Sequence, residues 1–422
     1  MGFENKNIIA ISLAFPPLAY PRSIQVARLL KNWGGQAFVF CADEPDTRTD
    51  PTIESDPAHR LAGLVRVPVQ TSRLERLEDK LSYKYLRSYW NRRNLVPDKY
   101  STWRHDVIRA VHDHISTDAI RPDAIVSFAQ PFSDHLIGLT LKKELGVPWL
   151  AHFSDPWTDN PFTPYDRKTY ELNLELERQV AENADLLVFT STETVELFCL
   201  KYPESVNKKC RVLPQCFDET RYPRSKTSAS ENICIRYLGN FYGHRKPKAL
   251  FGGLSKLLLN DPERLRHVTI ELIGPGNTEE TIALASDLPN GLVSARSSVD
   301  YSESLRLMSE ADGLLVIDAP SDLSVFLPSK LIDYIGAGRP IVGVTPTGTA
   351  ASLILELGGM VADPSSESEI ADTFGKFIQK LKIRRSNNDL SVWGESRVRA
   401  RFTIENVVSK FDSLLTELQA LR

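Results

Sequence analysis

Short apolar runs alternate along nearly the whole chain with longer stretches whose hydrophobic residues recur every three to four positions. Runs such as Ile8-Ile-Ala-Ile-Ser-Leu13 and Gly313-Leu-Leu-Val-Ile-Asp318 suit strands buried on both faces of a parallel sheet. The pattern predicts strands at 7–13, 37–41, 64–67, 123–128, 147–153, 185–190 and 210–213. Helices are predicted between them at 22–33, 101–117, 132–145, 165–183 and 192–201. The rhythm breaks from Pro214 to Ser230, where Pro223, Lys226 and a Ser/Thr/Ala mixture read as a linker. A second series follows, with strands at 233–238, 268–273, 293–295, 313–318, 341–344 and 359–362. Its helices are predicted at 247–259, 278–286, 302–310, 350–357 and 366–381, and the tail 397–420 reads as one long amphipathic helix. This is an α/β chain of two Rossmann-like, doubly wound parallel-sheet halves with a cleft between them.

Length and composition agree with that division. A chain of 422 residues exceeds what a single core usually supports. With 51 basic against 54 acidic residues, nothing global points to nucleic acid. Cys41, Cys199, Cys210, Cys216 and Cys234 form no C-x-x-C pair and are odd in number. They favour a reducing compartment over a disulfide framework or a structural zinc site. The first apolar run is too short for a signal peptide core, and no apolar run is long enough to span a bilayer. A soluble cytoplasmic protein is expected.

Candidate chemistry gathers where strands end. Phe326–Pro340 lies between two predicted strands, with Pro328 opening a short helix and Gly336 and Gly338 closing it. A helix start at the carboxyl end of a parallel strand offers free N–H groups to an anion. Lys330 suits a phosphate and Asp333 a pair of ribose hydroxyls; three residues apart, both can face one cleft. A solvated Lys/Asp pair is the plain alternative.

In the second motif, Tyr237 to Pro247, Gly239 ends a strand and a loop carries Gly243, Arg245 and Lys246. Glycine lets the backbone approach a diphosphate, and the cations neutralise it. The third motif runs from Gly146 to Trp157, where Asp155 and Trp157 offer a carboxylate and an aromatic platform for a sugar. Packing at a domain interface is the competing reading of Trp157. His152 points to the same side of its strand as the residue two positions on, and a buried structural histidine competes there too. After the first strand, Phe15 to Gln25 carries prolines and no glycine, so this loop should be stiff. Arg22 and Ser23 then sit at a helix start, a ready anion site, and Tyr20 and Gln25 could line the acceptor side. Ile273-Gly-Pro-Gly-Asn277 is by itself a turn. Residues 73–104 hold nine basic and four acidic side chains with interleaved Tyr and Trp. Such a stretch suits an anionic membrane surface or a lipid-diphosphate acceptor, or else a solvated helix with one packed side.

Together the motifs resemble the GT-B glycosyltransferases, specifically the retaining family 4 (group 1) type of bacterial surface-polysaccharide synthesis, from Ser12 to about Phe402. The family's donor signature is an E-x7-E block ending in Gly-Lys/Arg-Pro. Placing Gly338-Arg339-Pro340 on that ending sets Asp333 at the second glutamate, which implies a ribose contact, and Val325 at the first, a departure. Leu327 to Lys330 resembles a Leu-Pro-Ser-Lys variant of a related subgroup. The resemblance implies that Arg245 and Lys330 stabilise the departing diphosphate, with Lys246 as a substitute for Arg245. It places Gly239, Asn240, Gly274, Pro328 and Ser329 at the donor, and Pro17, Tyr20, Arg22, Ser23, His152 and Trp157 on the acceptor side. Aligned on Asp155, which it counts among the catalytic residues, Ser154 replaces the family's histidine.

The implied domains are 1–215 with a returning helix at 397–422, a linker at 216–230, and a donor domain at 231–396. The implied activity is transfer of a hexosyl group from a UDP- or GDP-linked sugar to a hydroxyl of a glycan or lipid-linked acceptor. Anomeric configuration is retained, and the acceptor proton passes to the leaving phosphate oxygen. Neither metal nor other cofactor is expected, and no nucleic acid; peripheral contact with the inner membrane face through 73–104 is. The alternatives are an inactive nucleotide- or glycan-binding scaffold, and a non-hydrolysing sugar-nucleotide epimerase.

Overall fold

The computed structural model describes residues 6–43, 48–53, 61–69, 96–118, 121–163, 165–223, 232–241, 243 and 245–421. It divides into two compact units, Met1–Pro214 with Val407–Arg422, and Gln215–Asn406.

The first unit is built on a seven-stranded parallel sheet of order β3-β2-β1-β4-β5-β6-β7. The strands are β1 (Asn7–Ile11), β2 (Gln36–Asp43), β3 (Leu61–Pro68), β4 (Ala124–Phe128), β5 (Trp149–Phe153), β6 (Leu186–Phe189) and β7 (Cys210–Val212). Ile8 pairs with Ala37 on one side and Ala124 on the other, so the strand order reverses at β1. That reversal opens a crevice beyond the carboxyl ends of β1 and β4. Strands β4, β5 and β6 are buried at every position, which is why they read as apolar runs interrupted by a single polar residue in β4 (Ser127) and in β5 (His152). The second unit carries six parallel strands in the order β10-β9-β8-β11-β12-β13. They are β8 (Ile233–Leu238), β9 (Val268–Ile273), β10 (Val293–Arg296), β11 (Gly313–Ile317), β12 (Ile341–Val344) and β13 (Met360–Ala362). Here the order reverses between β8 and β11.

Two expectations need correction. The tail is two helices, Ser396–Ala400 and Ile404–Ala420. The chain breaks because Phe402 is buried and its carbonyl accepts a hydrogen bond from Phe217 N at 2.9 Å. The stretch read as a linker begins as packed structure, since Cys216 and Phe217 are buried in the second unit. Residues 224–231 lie outside the described residues. From Val407 onward the last helix packs on the first unit, where Trp33 Nε1 donates to Asp412 at 3.1 Å and Arg211 pairs with Glu417. Among the described residues no helix is long and apolar enough to cross a membrane.

Candidate functional site

In the second unit the helix Ser329–Ala337 buries Leu331, Ile332, Tyr334 and Ile335 on one face. Pro328 sits at its N-cap without a side-chain cap, and Gly338 closes it in the left-handed conformation (φ 63°). The phenol oxygen of Tyr334 accepts from Leu238 N at 2.9 Å, which ties this helix to the end of β8. One residue on, Gly239 takes a positive φ of 134°. Lys330 reaches this point: its Nζ stands 3.9 Å from the Tyr237 ring centroid. The stem of Lys330 is half-buried, but its ammonium is sealed from solvent and has no hydrogen-bond partner. Burial and the neighbouring Arg245 push its pKa well below the ordinary lysine value, against a smaller pull from Asp318.

Arg245 donates to Asp318 at 2.6 Å. Asp318 leaves the end of β11, is itself buried, and also accepts from Ala319 N (2.9 Å) and Ser324 Oγ (3.3 Å). Three ionisable groups thus meet at two strand ends, two basic and one acidic. The sequence reading missed Asp318 by counting it as the last strand residue. The available signal was a carboxylate closing an apolar run on the side where the Arg245 loop also ends.

Asp333 has different neighbours from Lys330: its Oδ1 accepts from Tyr222 OH at 3.2 Å and Tyr301 OH at 3.1 Å. Val325, where the resemblance expects a carboxylate, is buried. Lys246 is exposed, so Arg245 alone of that pair turns inward. Asn240 packs against the loop after β9, its Oδ1 2.5 Å from where a Cβ on Gly276 would be. Gly274 turns there with φ 77°. Arg339 donates to Ser309 O at 2.7 Å, and Pro340 O accepts from Leu314 N at 2.8 Å. The Gly-Arg-Pro ending therefore anchors the helix and the next strand.

In the first unit Arg22, at the start of the helix Pro21–Asn32, donates to His152 Nδ1 at 2.8 Å and to His152 O at 3.0 Å. Burial lowers its pKa to about 10, with Asp155 and Asp134 pulling the other way, so it is still a cation at neutral pH. His152 is packed beside Phe128 and held neutral by burial and the Arg22 charge. The guanidinium of Arg22 is engaged with it. Ser23 Oγ is buried without a partner beside that arginine. Asp155 accepts from Ser154 Oγ at 3.2 Å and Gln130 Nε2 at 3.4 Å. Tyr20 is exposed and Pro17 half-buried.

Trp157 is not an open platform. It is 2% exposed, stacked on Phe132 with centroids 4.4 Å apart, and its Nε1 donates to Asn173 at 2.8 Å. Its loop is fixed by Glu177, which accepts from Thr158 N and Oγ1 at 2.8 Å each and pairs with Lys201.

The sequence reading also missed Asp134 and His135, buried at the start of the helix after β4. Asp134 Oδ2 accepts from Leu13 N at 2.8 Å, and its other oxygen has no partner. Burial, helped by Asp98, raises its pKa well above the usual carboxylate range. His135 Nδ1 meets Ser127 Oγ at 2.8 Å, and burial holds the ring neutral. The polar run Ser133-Asp-His135 after a buried strand was the signal. Of the basic stretch 73–104, residues 73–95 lie outside the described residues. Among the described residues no group of three or more His, Cys, Asp or Glu is placed to hold a metal ion.

Residues 21–214 match the family model described as a glycosyl transferase 4-like domain. No curated protein matches the chain. Among solved structures it is similar to the Anabaena protein HepE in complex with UDP and glucose, at TM-score 0.65 and 13% identity over 98% of this chain and 100% of that one. It is similar to sucrose-phosphate synthase from Thermosynechococcus elongatus, at TM-score 0.67 and 16% identity over 99% and 100%. It is also similar to an α,α-trehalose-phosphate synthase (UDP-forming) from Burkholderia vietnamiensis, at TM-score 0.61 and 12% identity over 98% and 100%. Likeness at these identities establishes the fold, which is GT-B.

Proposed function

We propose that this chain, a GT-B protein whose residues 21–214 match a glycosyl transferase 4-like domain, transfers a sugar from a nucleotide-diphosphate sugar to an acceptor hydroxyl. One observation carries the reading: Lys330 and Arg245 converge at strand ends with Asp318 as the one carboxylate between them. Arg245 is neutralised by Asp318, and the Lys330 amine has no acceptor. A diphosphate at the uncapped helix start would supply one, and the same charges would stabilise it as a leaving group. UDP in the HepE structure supports UDP over other nucleotides. Asp333, steadied by Tyr222 and Tyr301, is the proposed ribose contact.

The finer reading is a hexosyl transfer with retention, in which the acceptor proton passes to the leaving phosphate oxygen, and a place in cell-surface polysaccharide synthesis at the inner membrane face. One observation favours a non-catalytic binding protein instead: buried, apolar Val325 stands where a donor-contacting carboxylate is expected.

The test is thermal stabilisation by UDP, GDP, ADP, TDP and CMP, followed by hydrolysis of the matching nucleotide sugar. A shift with one diphosphate, lost in Lys330→Ala, is expected, because a ligand of the folded state raises the midpoint. No shift with any of them sinks the donor site. A shift without hydrolysis or transfer selects the binding protein, and interconversion of the free nucleotide sugar selects the epimerase.

A further inference from the structure

Lys330 is a basic side chain in surroundings that serve a cation poorly. Its nitrogen is sealed from solvent and finds no oxygen to donate to. On its own helix lies Asp333, whose Oδ1 accepts from Tyr222 and Tyr301. From β8 it meets the ring face of Tyr237, whose hydroxyl is spent on Asn240 O at 3.2 Å. From the loop after β8 it meets Arg245, a like charge, and from the end of β11 Asp318. That carboxylate is already bonded to Arg245 at 2.6 Å, so the pair presents little net charge to a second cation. A ring face attracts an ammonium but replaces none of the three hydrogen bonds it makes in water. Desolvation outweighs both attractions, in line with the low lysine pKa noted above.

A diphosphate reverses each condition at once. It brings acceptor oxygens, and its negative charge offsets Arg245. We propose that binding of a nucleoside diphosphate at this point is coupled to uptake of one proton by the Lys330 amine. The inference rests on the donor-site reading and adds to it a linkage between donor affinity and pH. The balance is simple: the neutral amine takes a proton from solvent, becomes an ammonium, and no bond in the ligand changes. The affinity then strengthens as pH falls from the bound-state pKa toward the free-state one and is level outside that window.

The experiment is titration calorimetry of the full chain with UDP and GDP at about pH 8, in buffers of different ionisation enthalpy. That pH lies well above the phosphate's own ionisation near 6, so the ligand itself exchanges no proton. Wild type is expected to take up protons on binding, with Kd rising by up to about tenfold per pH unit across the window between the free-state and bound-state pKa values. Lys330→Arg should bind with no uptake, because a guanidinium is protonated in both states. Binding without proton uptake, or uptake equal in wild type and Lys330→Arg, overturns the linkage and leaves the donor site standing. Should Lys330→Arg fail to fold, a wild-type Kd that is flat between about pH 7 and 9 overturns it just as well. Failure of every diphosphate to bind overturns the donor reading, and this inference with it.

Discussion

The amine of Lys330 rests against the backbone of Gly239: a Cβ built on that glycine would stand 2.6 Å from Nζ and 3.1 Å from Cε. The lysine therefore occupies space that only glycine leaves open, at the carboxyl end of the central strand β8. Helix and strand end are matched to one another by the absence of a side chain.

Gly239→Ala should thus act twice. The residue's φ of 134° is strained for any residue with a Cβ, and the methyl displaces the Lys330 amine. A loss of about 1–3 kcal/mol in urea unfolding is expected from the backbone alone. Diphosphate stabilisation should be lost with it. Wild-type stability and an unchanged nucleotide response in this variant would refute the packing argument.

Asp318→Asn leaves the Arg245 guanidinium short of its counter-charge, with both side chains largely buried. Breaking a buried pair from one side costs about 3–5 kcal/mol; the lower end applies here, because an amide keeps one acceptor oxygen. Equilibrium denaturation reads this directly. A cost below about 0.5 kcal/mol would mean that the pair is solvated and worth no more than a surface bridge.

Trp157→Phe tests whether that ring is core or platform. Phenylalanine keeps the stack on Phe132 and loses the bond to Asn173. Destabilisation of about 1–3 kcal/mol is expected, since Asn173 is left buried without that donor. The acceptor KM should not move. A large KM rise at unchanged stability would return Trp157 to the sugar.

The buried groups of the first unit set an acid-dependence whose sign can be worked out. His135 and His152 are held well below the free value of about 6.5, so the unfolded chain binds more protons there. Their contribution is fully present above about 6.5 and is lost as pH falls. Asp134 is raised, so it acts in the opposite sense: the folded state keeps a proton that the unfolded chain loses above about 3.9. Asp134→Asn should therefore steepen the loss of stability between about pH 6.5 and 5, by up to about 1.4 kcal/mol per pH unit. Histidine ring resonances offer an independent check. Either ring titrating near 6.5 in the folded protein would contradict its burial.

How much of this was legible depended on range. Strands Ile233–Leu238 and Ile341–Val344 were readable to the residue: the second is buried at every position and reads as an apolar run, and the first alternates buried positions with half-buried Cys234 and Arg236. The helix at 329–337 was readable from Pro328 and Gly338, whose backbone preferences are local. The break at 401–403 was not, since the amphipathic pattern continues through it and the turn is held in part by Phe217, far away in sequence, beside the local bonds of Thr403 and Asn406 to Ala400 O.

The chain's own order of residues thus determined the two βα series, the strand-end positions of Arg245, Lys330, Asp155 and Arg22, and the glycines that let backbone pass. Tertiary structure decided which of these groups are charged, paired or covered. Asp318 became the partner of Arg245, His152 the partner of Arg22, and Trp157 a core residue on Phe132. The physical reason is that periodicity and turn chemistry act over a few residues. Desolvation and pairing depend instead on what the fold brings alongside, and no spacing along the chain encodes that.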